Sequence, residues 1–236
     1  MFFPEKIKTI KPGDKVLEIG PGGTPYSRAD VFLDLDPKCF KSEEEERMQR
    51  GLAPVLLTEK PVVFYNGKKF PFKDKEFEYV ICSHVLEHVK DLGFFLSEMF
   101  RVAKRGYVEY PTIYYEYLYN FSVHINFLKF KEGVLLFMRK SNSHLNEFSP
   151  VQDFFTQTLI KEYQDIVNDL GNFMFEGFEW SSPFQSREVS DIKELVWDNL
   201  FVPLHVNRPA GILPFLKTLL LKLNPRSIIR KLNEII

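Results

Sequence analysis

Between Val16 and Pro37 the chain reads VLEIGPGGTPYSRADVFLDLDP, and this stretch restricts the fold more than any other. Val16-Leu17-Glu18-Ile19 is a short apolar run that reads as a buried strand. It breaks into Gly20-Pro21-Gly22-Gly23 and returns as a second apolar run, Val31-Phe32-Leu33, closed by Asp34. A strand that enters a glycine turn lets backbone approach a ligand closely, because no Cβ intervenes. An acid at the tip of the next strand can accept both hydroxyls of a ribose. Strand, glycine turn, strand and acid together describe a nucleoside pocket at the carboxyl edge of a parallel sheet.

The remaining chain decides whether such a sheet exists. Pro37 opens a segment, PKCFKSEEEERMQR, that reads as a helix with the solvated face Glu43 to Glu46. A connection through Gly51 and Pro54 leads to a third strand, Val62-Val63-Phe64-Tyr65. Phe77 to Cys82 reads as a buried fourth strand, and Ser83 is placed to cap a short helix, HVLEHV. Leu92, Phe95, Leu96, Met99 and Val102 fall at helical spacing, which predicts an amphipathic helix over 92–104 stopped by Lys104-Arg105-Gly106. Tyr107 to Tyr110 is the fifth strand. Strands alternating with helices over about a hundred residues argue an α/β doubly wound, mostly parallel sheet. Beyond Pro111 the pattern changes to an aromatic segment at 112–123, a hairpin over 127–139 turning at Lys131-Glu132-Gly133, a helix at 153–170, a strand at 173–180 and a mostly helical tail from 191.

Composition narrows the partners. The net charge of −1 over 236 residues gives no electrostatic ground for nucleic acid. Cys39 and Cys82 lack metal or redox spacing, which fits a reducing compartment. The opening MFFPEKIKTIKPGDK has no apolar core of signal-peptide length, and no run approaches the roughly 18 apolar residues of a spanning helix. A cytoplasmic location is the expectation, with contact at the membrane periphery as its variant.

With VLEIGPGG, LDLDP, FPFKDKEFEYVICSHVLEHV and EMFRVAKRGYVEYP in that order, the chain resembles the class I S-adenosylmethionine-dependent methyltransferases over roughly residues 13–111. The subgroup it is most similar to acts on small molecules and carries an LPF…F…V…LEH pattern. The resemblance implies a Rossmann-like core over 1–111; beyond it, the residues themselves suggest a sheet-completing α+β cap that fixes the substrate over 112–190 and a helical C-terminal extension over 191–236. The resemblance also implies S-adenosyl-L-methionine as cofactor, with Glu18, Gly20 and Gly22 against its methionine part, Asp34 on the ribose and Leu35 beside the adenine. Asn66, with Gly67 next to it, stands where the family has an Asp near the adenine amino group. Ser83 and His84 would border the methyl group. The interval from Gly20 to Asp34 is shorter than the family's by roughly two helical turns, so Tyr26, Arg28 or the C-terminal half is expected to cover that side of the cofactor.

Methyl transfer to an oxygen or nitrogen of a small-molecule or glycan-like acceptor needs alignment in a dry pocket more than covalent chemistry. Where a general base is needed, His84 and His124 are the candidates. Two other functions fit parts of the sequence: a non-catalytic cofactor-binding protein, favoured by the shortened first motif, and a zinc hydrolase, because HVLEH matches H-x-x-E-H. The sequence preceding HVLEH already accounts for it as methyltransferase sequence, so no metal is expected there, and His88 is expected to be satisfied by backbone. Glu109, on a central strand, is expected to have a buried partner. The segment 213–236 carries five Lys or Arg against one Glu among apolar residues. It is expected to dock on the domain, pair with a second copy or lie on an anionic membrane.

Overall fold

A computed structural model of the protein describes residues 1–22, 25–41, 58–149, 152, 155–156 and 171–197. Four parallel crossings build the core. Strand β1 (Val16–Ile19) lies between β2 (Val31–Leu35) and β4 (Phe77–Ser83), with β3 (Val62–Tyr65) outside β2. Strand β5 (Ala103–Pro111) pairs parallel with β4, and β8 (Phe175–Trp180) closes the far edge antiparallel, giving the order β3-β2-β1-β4-β5-β8. All four residues of β1 are buried, as expected of a central parallel strand covered on both faces.

Helix α1 (Leu92–Val102) opens on Asp91, whose carboxylate accepts the Phe94 N–H, and buries Leu92, Phe95, Leu96, Met99 and Val102. It ends two residues earlier than its composition suggests. Ala103, Arg105 and Gly106 already pair with Phe77, Tyr79 and Val80. Gly106 is therefore not a helix stop: a Cβ there would stand 2.3 Å from the Val80 carbonyl oxygen and 2.9 Å from the Trp180 indole nitrogen. Arg101 fixes the turn before β4, donating to the Phe70 and Phe72 carbonyls and to Glu98 and Asp74.

Of the helix expected from Pro37, the described part is the 3-10 turn Pro37–Cys39, capped by Asp36; residues 42–57 lie outside the described residues. The helix expected over HVLEHV does not form. Strand β4 runs through Ser83, His84 takes a left-handed conformation (φ +56°), and only the 3-10 turn Leu86–His88 follows. Ser83 does not cap it, because its hydroxyl donates to Glu109.

Beyond β5 the chain forms helix α2 (Ile113–Tyr119) and the hairpin β6 (Asn126–Lys131) to β7 (Val134–Arg139). Glu132 and Gly133 both have positive φ (+53° and +79°), as a two-residue hairpin turn requires. The hairpin does not extend the main sheet. It joins β9 (Gln185–Glu188) in a separate three-stranded sheet, while β8 alone covers the last edge. The Tyr110 hydroxyl links the two layers, accepting the Phe130 N–H at 2.6 Å and donating to Glu176 at 2.8 Å. The expected helix at 153–170 and most of the tail from 191 fall outside the described residues.

Candidate functional site

At the carboxyl edge, the sheet order reverses between β1 and β4, the position where open α/β sheets hold ligands. Gly20 and Gly22 follow β1 with φ of +62° and +56°, conformations that side chains rarely adopt. A Cβ on Gly20 would stand 2.6 Å from Val85 Cγ2, so the turn after β1 lies directly against the segment after β4. Glu18 is buried, accepts the Tyr26 N–H at 2.8 Å, and has its carboxyl pushed up to about 7 by burial.

Asp34 and Leu35 end β2 beside Phe64 and Tyr65 of β3, and the Asp34 carboxylate accepts the Leu35 N–H at 2.8 Å. Asn66 follows at once; its side-chain oxygen accepts the Lys68 N–H at 3.2 Å, holding the turn in which Gly67 takes φ +75°. A Cβ on Gly67 would lie 3.5 Å from Leu35 Cδ2. Leu35, Asn66 and Gly67 are thus brought together at one edge, as anticipated. Arg28 is not. It pairs with Asp30 and donates to the Lys11, Pro12 and Asp14 carbonyls, all before β1, and so sits at the amino edge, away from the glycine turn.

Past β4 the site is a buried polar chain. Glu109 on β5 accepts from the Phe2 and Phe3 backbone N–H groups, the Ser83 hydroxyl at 3.0 Å and the Tyr107 hydroxyl at 2.7 Å. His84 Nε2 lies 3.1 Å from Glu109 Oε1, and its Nδ1 lies 3.4 Å from Glu87 Oε1. Burial alone would lower the His84 pKa, but the hydrogen bonds and charges of Glu109 and Glu87 raise it above 6.5. Burial would raise both carboxyls, yet their interactions with His84 hold each at about 2. The imidazole is therefore held between two carboxylates, one facing each ring nitrogen. The rings of Phe2 and Phe175 meet it edge-on, each 5.2 Å away.

Tethering from β6 completes the group. The Ile125 N–H donates to the Glu87 carbonyl, and the Asn126 side chain donates to the Leu86 and Val89 carbonyls. These bonds carry His124 to His88, with ring centroids 4.7 Å apart. The His88 Nδ1 lies 3.1 Å from the Val123 carbonyl oxygen, the backbone partner anticipated, and burial lowers its pKa. His124 Nδ1 pairs with Glu116 Oε1, and Lys140 Nζ stands 3.9 Å from Glu116 Oε2. HVLEH thus does not bring its two histidines together on one helix face; the structure joins His88 with His124 instead. Sequence reasoning missed Phe2, Glu116 and Lys140. Only Glu116 left a signal, lying midway between the buried Ile113 and Tyr119 at a spacing of three, on the inward face of α2.

Residues 18–108 match the methyltransferase domain family. The demethylmenaquinone methyltransferase of Anoxybacillus flavithermus is 36% identical over 88 residues, 37% of this chain and 33% of that protein. That of Streptomyces avermitilis is 29% identical over 129 residues, 48% of this chain and 53% of that protein. The chain thus spans about half or less of the length of these curated relatives. Among solved structures, a Pyrococcus horikoshii protein, PH0226, is similar over 48% of this chain and 57% of its own, with 21% identity and a TM-score of 0.36. A SAM-dependent methyltransferase from Aquifex aeolicus is similar over 43% and 58%, with 18% identity and a TM-score of 0.31. The matched span contains the end of β1 and all of β2, β3, β4 and α1, and with them the glycine turn, Asp34, Ser83 and His84.

Proposed function

We propose that the chain is an S-adenosyl-L-methionine-dependent methyltransferase acting on an oxygen or nitrogen of a small-molecule or glycan-like acceptor. The observation that carries this reading is the meeting of the Gly20–Gly22 turn, Asp34 and Ser83 at the carboxyl edge where the sheet order reverses. Glu18 and the glycine turn take the methionine part, Asp34 the ribose hydroxyls, and Leu35, Asn66 and Gly67 the adenine. The acceptor lone pair attacks the methyl carbon in line, the carbon–sulfur bond breaks with its electron pair passing to sulfur, S-adenosylhomocysteine leaves and the acceptor releases its proton to solvent. His84, held between carboxylates, orients this edge and does not accept that proton. Residues 112–190, with α2 and the β6-β7-β9 sheet, form the acceptor-side cap. The basic, apolar segment 213–236 supplies contact with a membrane surface or a second copy.

Calorimetry with S-adenosylmethionine and S-adenosylhomocysteine tests the pocket. Asp34→Ala removes two charge-assisted hydrogen bonds, together about 3 kcal/mol, and is expected to weaken both ligands roughly 100-fold. Unchanged affinity overturns the assignment. Release of S-adenosylhomocysteine on incubation with hydroxyl, amine, glycan and demethylmenaquinone acceptors separates an enzyme from a protein that only binds the cofactor.

A further inference from the structure

We propose that Glu87, His88 and His124 form a binding site for one divalent transition-metal ion of the zinc class, beside the position of methyl transfer. The three residues each offer one ligand atom, and these atoms lie within 4.8 Å of one another. The donor set, two imidazoles and one carboxylate, is that of three-ligand metal sites that keep a position open for water or substrate. Hard ions such as Mg²⁺ favour all-oxygen surroundings and fit it less well.

Two independent features point to a cation. Glu87 is fully buried, and among the described residues neither of its carboxylate oxygens has a hydrogen-bond partner. His84 Nδ1 lies 3.4 Å from Oε1, longer than an ordinary hydrogen bond, and Oε2 is left without a hydrogen-bond partner among the described residues. His84 meets part of the Glu87 charge but fills none of its hydrogen-bond positions, and a metal ion would occupy one of them. The second feature is the outer shell. A carbonyl can only accept, so His88 Nδ1 carries its proton toward Val123 and turns Nε2 outward as the free lone pair. Glu116 fixes His124 in the same tautomer. Imidazoles that bind metal are held in this way, by a carbonyl or carboxylate on the second nitrogen. The rings stand nearly perpendicular with centroids 4.7 Å apart, and one nitrogen of each lies within 4.8 Å of the other and of a Glu87 oxygen.

Glu87 and His88 follow Ser83 by four and five residues, so the ion would stand next to the cofactor edge. With three protein ligands, its open position can hold an acceptor hydroxyl and lower that hydroxyl's pKa. That role replaces His124 as a base, since the lone pair it would use is spent on the metal.

The test uses the full chain, stripped with a chelator and titrated with Zn²⁺ by calorimetry and with Co²⁺ by visible absorption, without cofactor. One ion per chain is expected. His124→Ala and Glu87→Gln should each weaken binding at least tenfold, and Glu116→Gln, which keeps shape and only loosens the His124 ring, should weaken it roughly tenfold. His144→Ala, an exposed histidine paired with Glu147, should leave binding unchanged, and thermal melts check that each variant is folded. Absence of binding at micromolar metal, or binding that survives both His124→Ala and Glu116→Gln, overturns the site. Because no cofactor is present, either result leaves the methyl-transfer reading to stand or fall on its own test.

Discussion

Glu18 combines two demands at one side chain. Burial pushes its carboxyl from 4.5 up to about 7, against the Tyr26 N–H that favours the charged form. A folded-state value above the unfolded one means that the protonated acid is favoured in the fold. Its contribution to stability is full below about pH 4.5 and is lost as pH rises through 7, about 3 kcal/mol in all. A cationic ligand reverses the preference by stabilising the carboxylate. Glu18→Gln keeps an acceptor for Tyr26 and removes the charge. It should raise the melting temperature of the ligand-free protein at pH 8 and flatten its fall between pH 5 and 7. The same change should weaken S-adenosylmethionine roughly tenfold. A variant that melts lower than the parent at pH 8, or that binds as tightly, would show that Glu18 does not face the cofactor. Calorimetry in buffers of different ionisation enthalpy adds a direct check, since binding near pH 6 should release a proton.

At the scale of elements, what was legible from the residues followed their periodicity. Strands β1 to β4, the α1 helix and the hairpin announce themselves through apolar runs, helical spacing and Glu132-Gly133, because each is decided by its own local chemistry. The failures share a cause in partners distant in sequence. Lys104-Arg105-Gly106 reads locally as a helix end, but the ladder to Phe77, Tyr79 and Val80 makes it strand. Ser83 reads as a cap, but Glu109, 26 residues on, takes its hydroxyl. The cofactor edge was legible because one βαβ-like stretch carries most of it. The Glu87–His88–His124 group was not, since β6 must first be tethered to the turn after β4. Gly106 offers the sharpest test of this account. Gly106→Ala would force a methyl into the Val80 carbonyl and the Trp180 ring, neither of which can yield freely. A loss of about 3 kcal/mol is expected from overpacking, seen as an early denaturant midpoint with altered Trp180 fluorescence. Gly13→Ala, with nothing within 4 Å of the new Cβ, should stay within about 0.5 kcal/mol of the parent. Equal stability of the two variants would refute a strand role for Gly106.

For the whole molecule, the division of labour follows from where the chemistry ends. Every group proposed to hold the cofactor lies between Glu18 and Ser83, and the last edge of the sheet is already covered by β8. No helix among the described residues is long and apolar enough to cross a membrane. Residues 213–236 lie outside the described residues, and their sequence, with five basic residues to one acid among leucines and isoleucines, suits a surface rather than a cofactor pocket. Removing them should therefore leave S-adenosylmethionine affinity within about twofold of the full chain while reducing association with anionic vesicles or dimerisation. If the surface is a membrane, added salt should weaken vesicle binding by the full chain, each basic residue contributing about 1 kcal/mol of screened attraction, and neutral vesicles should bind far less. If the surface is a second copy, sedimentation of the full chain should show a dimer that the shortened chain loses, with little response to lipid charge. Unfolding of the shortened chain, or loss of its cofactor affinity, would instead make 213–236 part of the domain's own packing and end the surface assignment.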